Sequence, residues 1–314
     1  MIPKIVRRGL PLLPLAALAG CNTVVMNPTG DIAKQQADLI TISVWLMLII
    51  IIPVMILTIV FAWRYRQSAN AKYEPDWDHS TKLELIIWGA PLLIIIVLGL
   101  ITWVSTHKLD PYRPLDRIDA NRPISASVKP LEVQVVALDW KWLFIYPEQG
   151  IASVNQLVTP IDTPIRFKMT SSTVMNTFYI PTLAGMIYAM PGMETELNAV
   201  LNKTGNFQGL SANFSGDGFS HMKFAYKGVS NEEFNTWVQE MKANPAVLDR
   251  ADYLVLEKPT AKEAVRHYGQ VEPALFNRIL NRCVAEGSMC MNQQMHDDLK
   301  RNQMAAAIRQ LPKD

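Results

Sequence analysis

Two stretches of this chain are too long and too apolar to be surface elements of a protein folded in water. Leu39 to Trp63 is a run of 25 residues with no charged side chain, bounded by Asp38 and Arg64. Leu85 to Val104 is a second uncharged run, of 20 residues, bounded by Glu84 and His107. About 20 apolar residues in a helix cross the hydrocarbon of a bilayer, so both runs predict transmembrane helices. Trp45, Trp63, Trp88 and Trp103 lie towards the ends, where indole rings favour the interface. Hydrophobic residues make up 49% of the chain and charged ones 18%, which is apolar for a purely soluble protein.

The first twenty residues read as a secretory signal. Lys4, Arg7 and Arg8 form a positive region without an acid, Leu10 to Leu18 an apolar one, and Leu18-Ala19-Gly20-Cys21 a processing site. Small residues before a cysteine at this place resemble a bacterial lipoprotein box. The resemblance implies cleavage before Cys21 and acylation of its thiol, with residues 21–38 as a periplasmic N-terminal segment. The loop between the spans carries Arg64, Arg66, Lys72 and Lys82, whereas residues 22–38 carry only Lys34. Positive loops stay in the cytoplasm. Residues 39–107 therefore predict a two-span hairpin in the bacterial inner membrane. Its N-terminus is lipid-anchored outside, and the C-terminal domain lies in the periplasm. The net charge is only +2, and no basic face suggests a nucleic-acid partner.

Residues 108–130 are proline-rich and read as a linker. From Leu131 the pattern changes to short apolar runs at Leu131–Leu138, Trp142–Tyr146, Ile165–Met169, Thr177–Ile180, Met186–Met190 and Glu194–Leu201, separated by turn residues. Short strands at this spacing predict an all-β sandwich or barrel over residues 131–228. A helical extension follows over 229–314. Ser230 with Glu233 matches a capping box, and Phe234, Trp237, Val238 and Met241 fall on one helix face. Residues 245–257, 261–268 and 273–285 predict further short helices. The last thirty residues are polar and read as a disordered tail.

One loop carries more information than the periodicity. The segment Gly209 to Met222 reads Gly-Leu-Ser-Ala-Asn-Phe-Ser-Gly-Asp-Gly-Phe-Ser-His-Met. It resembles the copper loop of subunit II of haem-copper respiratory oxidases, G-x-C-x-x-x-C-G-x-x-H-x-x-M. Ser211 and Ser215 stand where the two cysteines would be, with Asn213 between them. Phe219 stands at the histidine, and only Met222 matches. Asn176 fills the place of the remaining histidine. A dinuclear copper centre needs soft bridging thiolates, which hydroxyl and amide groups do not replace. The expectation is that no metal binds here, and that Ser211, Ser215 and Asn176 hydrogen-bond among themselves. His221 lies two residues off register.

A kept loop with lost ligands is the pattern of the cytochrome bo-type ubiquinol oxidases. The resemblance covers the lipoprotein box to about residue 285, including the strand Trp140 to Gln149. It implies a cupredoxin-like periplasmic domain and a complex in which subunit I carries the haems, one copper and the quinol site. Ubiquinol would be oxidised, oxygen reduced to water and protons pumped, with subunits III and IV and membrane lipid as further partners. This chain would carry no catalytic residue and no cofactor, and would support subunit I. The family has a glutamate before the second span, at the cytoplasmic mouth of a proton path, and here that is Glu84. A helix N-terminus also favours an acid, so simple capping is the alternative. Trp140 and Trp142, with Phe144 and Tyr146, would pack at the interface with subunit I or in the core. Cys283 and Cys290 predict a disulfide in the oxidising periplasm. The alternative there is a soft metal site with Met289, Met291, Met295 and His296. A reading from another class is a free-standing, membrane-tethered cupredoxin-like binding lipoprotein.

Overall fold

A computed structural model describes residues 23–72, 75–125 and 128–309. The signal segment and Cys21 lie outside the described residues. The chain divides into two compact units, Gln35–Arg113 and the residues flanking it on both sides.

Helix α1 spans Asp31–Arg64 and α2 spans Thr81–Lys108. Both extend past the uncharged runs, because the flanking charges suit helix ends. Asp31 lies in the first turn of α1 and Arg64 in its last; Glu84 opens α2, and His107 and Lys108 close it. Both helices are long and apolar enough to cross a membrane, with large apolar side chains such as Trp63, Leu85, Trp88 and Trp103 turned outward. Their few hydroxyls bond inward to the helix backbone: Thr41 Oγ1 donates to Ala37 O at 2.9 Å and Thr58 Oγ1 to Val54 O at 2.8 Å. That removes the cost of an unpaired polar group in hydrocarbon.

The second unit is β-rich. A hairpin of β1 (Arg117–Asp119) and β2 (Arg122–Pro123) interrupts the proline-rich linker. The strands then follow as β3 (Leu131–Leu138), β4 (Lys141–Tyr146), β5 (Ile151–Val154), β6 (Gln156–Pro160), β7 (Pro164–Ser171), β8 (Asn176–Tyr179), β9 (Ile187–Ala189), β10 (Thr195–Val200), β11 (Gly205–Ser211) and β12 (Lys223–Val229). After these come α3 (Asn231–Lys242), β13 (Val247–Leu248), α4 (Arg250–Leu256), β14 (Arg266–Tyr268), β15 (Gln270–Val271), α5 (Leu275–Leu280) and α6 (Met291–Arg309). One sheet runs β10-β7-β3-β4-β5-β14 and the other β6-β12-β11-β8-β9.

Strand β4 shows why this region reads as one continuous apolar run. It is buried on both faces. Trp142 and Phe144 point into the core between the sheets, against Phe178 and Phe224, and Tyr146 points into it against Phe234 and Trp237. Leu143 and Ile145 point the other way, into a second core closed by Leu248, Tyr253, Leu256, Phe276 and Ile279 of the C-terminal extension. The extension therefore covers the outer face of a sheet that would otherwise expose it.

Two expectations for the extension are corrected. Residues 261–268 do not form a helix. Arg266–Tyr268 is an edge strand pairing antiparallel with β5, Tyr268 opposite Ala152, where β5 offers an open edge and the stretch supplies valine, histidine and tyrosine. The final residues are not all structureless, since Met291–Arg309 is helical. The capping box holds: Ser230 Oγ accepts from Glu233 N, and Glu233 accepts from Ser230 N at 2.8 Å.

Candidate functional site

The loop after β11 is closed by backbone before any side chain acts. Ser211 N donates to Met222 O at 3.1 Å, and a short 3-10 turn at Phe219–His221 returns the chain to β12. Asn176 opens β8 beside it. Ser211 Oγ donates to Asn176 Oδ1 at 3.2 Å and lies 3.3 Å from Asn213 O. Asn176 Nδ2 donates to Val174 O at 3.1 Å, and Asn213 Nδ2 to Met175 O at 3.1 Å. These bonds tie the loop to the strand beginning at Asn176. Ser215 does not join them, contrary to the expectation. Its hydroxyl lies 4.0 Å from Met222 Sδ, and its carbonyl is the group that is used.

That carbonyl accepts from Trp140 Nε1 at 3.0 Å. Trp140 has a positive φ of 67°, a conformation costly for a bulky residue. The ring lies on the loop: a Cβ added to Gly218 would stand 2.3 Å from Trp140 Cδ2, and one added to Gly216 3.3 Å from Cζ2. Gly216 itself has φ 106°. The two glycines thus admit the indole, a signal that sequence reading missed. Trp142 lies in the core, fully buried. It is the core alternative that describes Trp142, since no surface of it is left for an interface. Trp140 remains half-buried.

The positions that would hold copper are filled by groups that do not suit it. Asn176, Ser211 and Met222 are buried, and the hydroxyl and amide are already hydrogen-bonded to one another. Phe219 has no donor and packs against Phe214 at 5.6 Å between ring centroids. No thiolate enters the loop, and its one imidazole, His221, is exposed in the 3-10 turn rather than at a ligand position, so the donor set does not fit a copper pair. Among the described residues, no three His, Cys, Asp or Glu side chains come together.

Two further places carry chemistry. Glu84 sits in the first turn of α2, its N–H bonded to Ser80 O at 3.0 Å. Its Oε1 lies 2.7 Å from His79 Nδ1, a neighbour the sequence reading did not single out. Cys283 and Cys290 are joined in a disulfide with Cα atoms 4.8 Å apart, at the base of α6.

The comparisons with known proteins fall on these same regions. The family model "Cytochrome C oxidase subunit II, periplasmic domain" matches residues 132–229, and the "COX Aromatic Rich Motif" matches 242–287. The chain is 51% identical over 274 residues to cytochrome bo(3) ubiquinol oxidase subunit 2 of Pseudomonas putida, covering 87% of this chain and 84% of that one. It is 48% identical over 281 residues to ubiquinol oxidase subunit 2 of Acetobacter aceti, covering 89% of each. Among solved structures, the periplasmic domain of subunit II of cytochrome oxidase of Bradyrhizobium japonicum aligns with 28% identity and a TM-score of 0.34, covering 35% of this chain and 91% of that one.

Proposed function

The chain belongs to the cytochrome bo(3) ubiquinol oxidase subunit 2 family, and from that premise we propose how it serves its complex. It is a subunit of an oxidoreductase, a haem-copper terminal oxidase of ubiquinol, and its partner is subunit I. In this proposal electrons pass from ubiquinol to haems and one copper held by subunit I, and oxygen is reduced to water with proton pumping. The present chain contributes no redox centre. Its two helices sit in the inner membrane with the β-rich unit in the periplasm, anchored through an acylated Cys21. Subunits III and IV complete the complex.

The observation that carries this reading is the loop at 211–222. Its backbone closure is intact, while Ser211 and Asn176 spend their polar atoms on each other. A loop arranged in that way supports the domain and hands no electron onward.

Glu84 is the proposed point of proton entry. An ionisable side chain at the end of an apolar span is costly enough to argue for a role, and the positive loop places it on the cytoplasmic side.

Purification through a tag on this chain tests the assignment. The expected particle contains two haems and one copper, and consumes oxygen when given a short-chain ubiquinol. Three coppers would mean that the 211–222 loop binds metal, and a lone chain without haem would overturn the assignment.

A further inference from the structure

The first span ends in two arginines whose planes are fixed. Arg64 closes α1, and Tyr65 N donates to Phe61 O at 2.9 Å just beyond it. The chain then turns, with Ala69 N donating to Arg66 O at 2.8 Å. Each guanidinium is laid against an aromatic ring. Arg66 Cζ lies 5.1 Å from the ring centroid of Trp63, and Arg64 Cζ lies 6.0 Å from that of Tyr65. Arg66 is held at two further points: Nη1 donates to Trp63 O at 2.8 Å and Nε to Ser68 Oγ at 3.0 Å. All four of these arginine and aromatic side chains are exposed. We propose that Arg64 and Arg66 bind the phosphate of an anionic phospholipid headgroup, of the phosphatidylglycerol class, at the membrane surface. The proposal rests on α1 crossing the membrane.

Depth, donors and charge argue the same way. The uncharged run ends at Trp63, so the residues after it leave the hydrocarbon where headgroup phosphates lie. A guanidinium presents five N–H groups in one plane, matched to two phosphate oxygens at once. Arg66 spends Nε and one N–H of Nη1 on the chain, which leaves Nη2 uncommitted among the described residues. No acid falls between Arg64 and Lys72, so no carboxylate of that stretch competes for either arginine. The charge of the loop argues for the cytoplasmic leaflet, whose lipids carry the negative surface charge. Charge sorting across the bilayer does not account for the arrangement. It counts positive side chains and has no use for rings that fix the plane of a cation. Stacking orders the guanidiniums before a ligand arrives, which lowers the entropy cost of binding. The exposed rings of Trp63 and Tyr65 also favour a lipid over free phosphate, because they offer apolar surface to its glycerol and acyl portion.

The test uses the whole complex, stripped of lipid in detergent and then given phosphatidylglycerol, phosphatidylethanolamine or inorganic phosphate. Bound lipid is counted per haem by mass spectrometry, and bound phosphate by equilibrium dialysis. The native complex is expected to bind phosphatidylglycerol about tenfold more tightly than the double variant Arg64→Gln with Arg66→Gln, the equivalent of one charge-assisted hydrogen bond. Arg66→Lys keeps the charge without the planar fork, so it should lose most of that difference. A native affinity in Arg66→Lys reduces the cluster to charge alone and overturns the site. Equal affinity for phosphatidylethanolamine, or native binding by the double variant, overturns it as well. Inorganic phosphate that displaces the lipid would show a general anion site and overturn the lipid as its ligand. If the double variant no longer carries haem, Trp63→Leu decides, since it keeps both charges: lipid lost with haem retained supports the proposal, and native lipid binding overturns it. Release of the chain from membranes by alkaline carbonate without detergent would remove the span itself, an outcome separate from all of these.

Discussion

At the scale of single residues, the loop is shaped by what it must admit. Gly218 is buried beneath the Trp140 ring, and any Cβ there would overlap it. Gly218→Ala should therefore destabilise the β-rich unit by about 1–3 kcal/mol, the usual range for overpacking, with a change in tryptophan emission as the indole leaves Ser215 O. An unchanged melting temperature and spectrum would refute the fit. The core tyrosines give a second prediction. Burial pushes the hydroxyls of Tyr146 and Tyr226 well above the ordinary tyrosine range. In the unfolded chain they ionise near pH 10 and in the fold they do not, so the unfolded state binds fewer protons above that pH. Stability is then full below about pH 10 and falls above it by about 1.4 kcal/mol per pH unit for each tyrosine. Denaturation midpoints between pH 8 and 11 check the sign, and tyrosinate absorbance at these two residues should appear only with unfolding. Much at this scale was legible from the loop alone. The Ser211–Asn176 bond followed from two polar groups at neighbouring ligand positions. The role of Ser215 did not, because it depends on Trp140, 75 residues away, and nothing local marks that approach.

Among elements, those with a strong period or a marked cap were readable, and those defined by a distant neighbour were not. The two apolar helices and α3 announce themselves by length, by hydrophobic spacing and by Ser230 with Glu233. Strand β14 is three residues long and exists because β5 has a free edge, so its own sequence carries little of the cause. Helix α6 is a similar case. Residues 292–304 of it are exposed and mostly polar, and an isolated helix of this length is marginal in water. The disulfide at its base, with Met291 N bonded to Asn281 O at 2.9 Å, fixes where it starts. The bridge closes a loop with a sequence separation of 7, for which chain-entropy arguments give about 2 kcal/mol. Cys290→Ser should thus speed hydrogen exchange in residues 284–309 while leaving the sheets protected. A free-thiol titration of the denatured, unreduced native protein should find neither Cys283 nor Cys290. Reactive thiols at both positions would show that the bridge is not formed.

On the scale of the whole molecule, the β-rich unit is not a continuous piece of chain. Residues before α1 are built into it, as the division of the chain into two units shows. Thr29 N and Gly30 N both donate to Thr182 O, at 2.8 and 3.1 Å, and Asn202 N donates to Thr29 O at 2.7 Å. Gly30 pairs with Leu201 as an isolated antiparallel bridge. Asp31, itself buried, receives Arg117 Nε at 2.9 Å, and Ile32 packs on the main core. Hydropathy marks the start of the first span, but these contacts join residues 86 positions apart at Asp31 and Arg117 and 153 apart at Thr29 and Thr182, which no periodicity reveals. The strap has one critical point. A Cβ on Gly30 would stand 2.6 Å from Val200 O and 2.7 Å from Leu183 O, and two backbone carbonyls have nowhere to retreat. Gly30→Ala should break the bridge and free Thr29 and Asn202, each lost hydrogen bond costing about 1 kcal/mol. Arg117→Leu leaves the backbone in place but removes the guanidinium that the buried Asp31 carboxylate accepts from, a loss that costs stability where the charge is buried. Limited proteolysis of the purified complex separates the two. Gly30→Ala should expose a new cleavage site between residues 23 and 34, whereas Arg117→Leu should lower the melting temperature without opening that segment. If neither variant differs from the native protein, the strap is ornamental, and the β-rich unit stands without it.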